Sequence, residues 1–190
     1  MPYEAIFMGI ALAATAGLRV FMPFLFVGGM GRYASLPVPD MLEWTATDAG
    51  FLLLLVATFV EVLSDKIPVV DHLLDSAATF VKPAAGLLLP AALLYDASPM
   101  GAWVLGIVAG APLALGVHAT KAGTRAGSSV TTMGVANPIL SFFEDALAVL
   151  LLVLTALAPV LALIVVLGLV VLVVRGWRFM RRRLTPRVPS

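Results

Sequence analysis

Two arginines lie inside apolar stretches behind matching neighbours, Ala16-Gly17-Leu18-Arg19 and Ala122-Gly123-Thr124-Arg125. A guanidinium grips carboxylate and phosphate oxygens bidentately, so Arg19 and Arg125 suit an anionic group, with Lys82 as a third candidate cation for substrate. Gly17 and Pro23 flank Arg19 and predict an interrupted helix whose freed backbone groups line a cavity. An acidic set follows: Glu61, Asp65, Asp71 and Asp75, interleaved with Lys66, Pro68 and His72. Each successive pair is four residues apart and shares a helical face, with Pro68 breaking the helix between the pairs. These carboxyls could couple protons, bind a divalent cation, or clamp the two arginines. Crowded carboxyls repel one another, which would keep one of them protonated. Glu144 and Asp145 complete the list of candidates. Following Asn137-Pro138, they suit the positive end of a helix, and Glu144 could also pair with Arg125 or Lys121.

The elements that must hold these charges are membrane helices. The chain of 190 residues is 61% hydrophobic and only 12% charged, against roughly 25% charged residues in an average soluble domain. A chain of this length has too little interior to hide so much apolar surface. Taking about 20 apolar residues per crossing, about six spans can be laid out, over 5–29, 49–63, 76–94, 101–120, 139–157 and 159–174. Pro159 disfavours helix at Ala158 and divides the last long apolar run into a hairpin. Arg175, Arg178, Arg181, Arg182, Arg183 and Arg187 form a basic tail over 175–190, which belongs in the cytoplasm. An even span count would then put both termini in the cytoplasm and the segment 31–48 outside. Glu4 and the lack of any early Lys or Arg argue against a cleaved leader.

Asp48-Ala49 with Leu53 to Val56 and Thr58 reappears as Asp145-Ala146 with Leu150 to Val153 and Thr155. With the two arginine matches, this suggests a single all-α membrane domain over 1–190 built as a three-plus-three inverted repeat, about 1–95 and 101–176. Secondary transporters use that arrangement and place substrate at the repeat interface. Gly106-X-X-X-Gly110 offers a close-packing face for a second copy, so a homo-oligomer is expected. Cysteine is absent, which removes thiolate chemistry. Phosphate-loop, zinc-protease and serine-hydrolase signatures are also absent. With only two histidines, His118 reads as a packing residue.

Glu61-X-X-X-Asp65-Lys66-Ile67-Pro68-X-X-Asp71-X-X-X-Asp75, Lys82-Pro83 and Asn137-Pro138 with Ser141 and Glu144-Asp145 carry a resemblance over nearly the whole chain. It resembles a family of small bacterial integral membrane proteins known only as a domain of unknown function. The resemblance implies a multi-span protein of the bacterial inner membrane, with no substrate to transfer. The expected function is a non-enzymatic transporter or lipid translocator for an anionic or phosphate-bearing substrate, with Glu61, Asp65, Asp71, Asp75 and Glu144 coupling ions. Membrane lipids are the expected surroundings. No cofactor and no nucleic-acid partner is expected, and the metal question is open. The alternatives are a membrane scaffold, or a metal-dependent lipid enzyme using Asp65, Asp71 and Asp75.

Overall fold

The computed structural model describes the backbone of residues 2–66 and 68–184, and side chains over 3–66, 77–176 and 178. Among these residues the chain is helical, without strands. The first apolar stretch is cut at Arg19-Val20 into α1 (Pro2–Leu18) and α2 (Phe21–Ala34). A 3₁₀ helix (Asp40–Ala46) then bends by 77° into α3 (Asp48–Ser64), whose first turn is capped by the Thr47 hydroxyl accepting from the Gly50 N–H. Next come α4 (Pro68–Leu94) and α5 (Pro99–Leu105), which runs through a π turn (Gly106–Gly110) into α6 (Ala111–Thr132). Pro112 has no N–H for the Val108 carbonyl. The Ala111 N–H reaches back five residues to Gly106, and the helix absorbs the missing donor as a π turn. Helices α7 (Asn137–Leu157) and α8 (Pro159–Leu184) form the expected hairpin, parting at Ala158 with φ −153° and ψ 73°.

Among the described residues, four segments have the length and hydropathy to cross a bilayer: Ala77–Leu94, Pro99–Thr132, Asn137–Leu157 and Pro159–Gly176. The bent 3₁₀–α3 pair makes a fifth if it counts as one crossing. The first apolar stretch, expected as one span over 5–29, is instead two helices of 17 and 14 residues. At ~1.5 Å per residue both are shorter than the ~20 residues of an average crossing. The outer surfaces of α3, α7 and α8 expose Leu53, Phe59, Phe142, Leu157, Leu161 and Leu172, the face such helices turn to lipid.

Helix α1 is the central post, packed against α4, α6, α7 and α8. Its alanines permit this, since Ala11, Ala13, Ala14 and Ala16 are all within 2% of full burial. A Cβ at Gly9 would lie 2.7 Å from Pro90 of α4, and one at Gly17 would lie 2.6 Å from Ala114 of α6. The start of α1 packs on the end of α4, where Ala5 and Ile6 meet Ala91 and Leu94. Helix α2 lies antiparallel to α3, with its first turn at Glu61 and Tyr33 of its last turn edge-on to Phe51 at 5.6 Å.

These neighbours correct three expectations. Helix α4 is antiparallel to α1 and also to α6, where Gly86 and Pro90 face Gly110 and Lys82 faces His118. The two arginine-bearing helices therefore run the same way, whereas an inverted repeat needs them opposed. The start of α1 lies at the α4–α5 end of the bundle. Val173 and Val174, in the last apolar turns of α8, line one cavity with Thr124 near the other end, so the start of α1 and these turns lie toward opposite ends of the bundle, whereas an even span count puts them at one end. The glycine face of Gly106 and Gly110 is already used within the chain. Added Cβ atoms there would fall 2.4 Å from the Leu87 carbonyl oxygen and 2.1 Å from that of Gly86.

Candidate functional site

Arg19 ends α1 fully buried, and a buried guanidinium must find anions. Its Nη1 pairs with Asp65 at the end of α3, its Nε donates to Asp145 of α7 at 2.6 Å, and its Nη2 donates to the buried Ser141 hydroxyl at 3.2 Å. Asp65 is the hub. The same oxygen that meets Arg19 accepts from Lys121 Nζ at 2.5 Å and Arg125 Nη2 at 2.9 Å, both from α6. Glu144 accepts from Arg125 at 2.7 Å and lies 3.6 Å from Lys121. Lys66 lies 3.3 Å from Asp145 and is the most exposed member. Four helices thus converge through four cations (Arg19, Lys66, Lys121, Arg125) and three carboxylates (Asp65, Glu144, Asp145).

Glu61 is the fourth carboxylate and does a different job. The break after Arg19 leaves the first amides of α2 without partners in α1, as at any helix start. One Glu61 oxygen accepts from the Val20 N–H at 2.7 Å and the other from the Phe21 N–H at 3.2 Å. A carboxylate on the positive end of a helix is favoured by both the N–H groups and the dipole. With Glu61 included, the cations and carboxyl groups joined here number four each among the described residues.

Lys82 is buried to 2% exposure. Its ammonium is 3.1 Å from His118 Nδ1, and His118 Nε2 is 3.3 Å from the Thr79 hydroxyl. A charged Lys82 donating to Nδ1 leaves the proton on Nε2, where it donates to Thr79. Between α3 and α4 lies a cavity of about 320 Å³ with Glu61, Asp65, Lys82 and Lys121 on its wall and Leu53, Val56 and Val60 around them. That is the size of a small-molecule site, with a few convergent polar groups in an apolar lining.

Arg19, Arg125, Glu61, Asp65 and Glu144 are therefore brought together, and Lys82 lines the cavity that Glu61 and Asp65 also line. Asp71, Asp75 and His72 lie outside the residues whose side chains are described. The sequence analysis undervalued three residues. Asp145 was explained by the helix dipole, but it lies more than two turns inside α7, beyond the dipole's reach, and instead faces Arg19. Lys121 was expected only as a possible partner of Glu144 and Ser141 only as part of the family resemblance, whereas Lys121 also meets Asp65 and Ser141 accepts from Arg19. Asp65 is ringed by three cations, which makes it their shared counter-ion. Among the described residues no group of three or more His, Asp or Glu side chains is placed to hold a metal ion.

No curated protein and no solved structure matches the chain. A family model matches residues 6–179, nearly the whole of the membrane bundle and every residue of the charged cluster. The chain belongs to the family described as Domain of unknown function (DUF4126).

Proposed function

We propose that this protein is a small, non-enzymatic membrane transporter whose substrate site is the charged cluster with the cavity between α3 and α4. The observation that carries the reading is the carboxylate of Glu61 on the broken end of α2. Interrupted helices in transporters present such half-helix amides to an anionic substrate group near the bilayer midplane. Glu61 stands where a substrate carboxylate or phosphate would bind, with Lys82 and Lys121 on the same cavity wall to receive it. Displacement of Glu61 by substrate would release α2 from α3, giving the site two states. In this reading the arginines act by holding Asp65 and Glu144 in place, rather than by touching substrate.

By the positive-inside rule, the basic tail supports a reading with the end of α8 on the cytoplasmic face of a bacterial inner membrane and the start of α1 on the outer face. A chain this short suits assembly with a second copy, through a face other than Gly106 and Gly110. The scaffold reading is favoured by one observation: Asp65, Glu144 and Asp145 are each already matched by cations of neighbouring helices.

Proteoliposomes loaded with labelled phosphate, and in parallel with a labelled small carboxylate, test the choice. The expected result is protein-dependent efflux of one of them that falls by about tenfold or more in Glu61→Gln and Lys82→Met. Absence of any efflux from well-folded wild-type protein would favour the scaffold.

A further inference from the structure

A second cavity, of about 470 Å³, opens between α6, α7 and α8 over a floor formed by Ala14 and Leu18 of α1. Its lining changes character along the bundle axis on two helices at once. On α6 it passes from Leu113 and Val117 to Thr120, Lys121 and Thr124, and on α7 from Leu151 and Leu147 to Glu144. On α8 the lining runs through Val166, Val170 and Val174, and one turn beyond Val174 on the same face stands the exposed Arg178. The polar end of every wall points toward the basic end of α8.

We propose that this groove is a binding site for one phospholipid with an anionic headgroup, independent of whether the protein transports anything. One acyl chain lies between α6 and α8 against Leu113, Val117 and Val170, and the phosphate lies at the polar mouth with Arg178. The axial gradient matches the two ends of a lipid, which a merely annular surface does not require. The cation at the mouth complements phosphate charge. The volume of about 470 Å³ falls in the range of small-ligand pockets.

Gly116 provides the test. It lines the groove, and a Cβ built there meets nothing within 4 Å, so a side chain can leave the backbone at this point and Gly116→Leu puts bulk into the groove. Gly123 has the same open space on α6 outside the groove, and Gly123→Leu is the control. Full-length protein in detergent is titrated with phosphatidylglycerol, or with phosphatidylcholine of the same chains, and bound lipid is counted by native mass spectrometry. The expected result is one tightly held phosphatidylglycerol on wild type and Gly123→Leu, lost from Gly116→Leu. Arg178→Gln should cut the preference for phosphatidylglycerol by about fivefold. Equal retention by Gly116→Leu and wild type, or a graded series of weak adducts alike in all variants, would mean annular lipid only and overturn the proposal. Equal affinity of wild type for the two lipids would overturn its headgroup half.

Discussion

The carboxylate of Asp65 carries more than any other side chain, because one of its oxygens meets cations from two helices at once. Removing one partner of a buried ionic set leaves the others uncompensated, at about 3–5 kcal/mol. Asp65→Asn should destabilise the protein in detergent by that order, read as a lower thermal unfolding midpoint, and adding Lys121→Met should recover part of the loss. Additive effects in that double variant would show that the two residues are not coupled. Arg19→Lys keeps the charge, yet one ammonium cannot reach Asp65, Asp145 and Ser141 together, so destabilisation short of that in Arg19→Leu is expected. Glu61→Gln keeps one acceptor for two amides and should cost about 1–3 kcal/mol. The pairing of Glu144 with Arg125 and the clamping of both arginines were legible in the sequence, because an apolar span leaves a guanidinium few alternatives. The role of Asp145 was hidden, since a helix-start explanation was sufficient locally and its partner lies 126 residues away.

At the scale of elements, glycines decide how closely helices approach. Gly110 faces Gly86 so tightly that Gly110→Ala must separate α4 from the α5–α6 segment, at about 1–3 kcal/mol. Gly168 in α8 meets nothing, and Gly168→Ala should be neutral or stabilise by up to about 1 kcal/mol through helix propensity. Thermal melts of the two variants check this, and equal effects would contradict the packing described. The break at Pro159 and the interruption at Arg19 could be read from residue types, as proline chemistry and a charge in an apolar run act locally. The partner of the Gly106–Gly110 face could not be read that way, because a close-packing stripe looks the same whether a second copy or the chain's own α4 fills it. The inverted repeat failed for a related reason. Matching runs of Leu and Val record only that both segments face lipid, and carry no information on direction.

For the whole molecule, the packing sets a sidedness that labelling can check. Ser35 and Ser98 lie at the end of the bundle where α1 starts, and Ser128 lies at the end where α8 finishes. With the basic tail cytoplasmic, cysteines at Tyr3, Ser35 and Ser98 should react with impermeant thiol reagents in intact cells, and one at Ser128 only after permeabilisation. Protection of Tyr3→Cys alongside labelling of Ser35→Cys would restore the even crossing count. The distance in sequence between Arg19 and Asp145 also imposes an order on biosynthesis. Asp145 leaves the ribosome 126 residues after Arg19, roughly 6–25 s later at ~5–20 residues per second. During that interval the guanidinium lacks part of its final neutralisation, at a cost of about 2.5 kcal/mol or more if it enters hydrocarbon alone. The nascent α1 should therefore wait at the insertion machinery or the interface until α7 emerges, and chains stalled before Asn137 should leave their first helix open to protease.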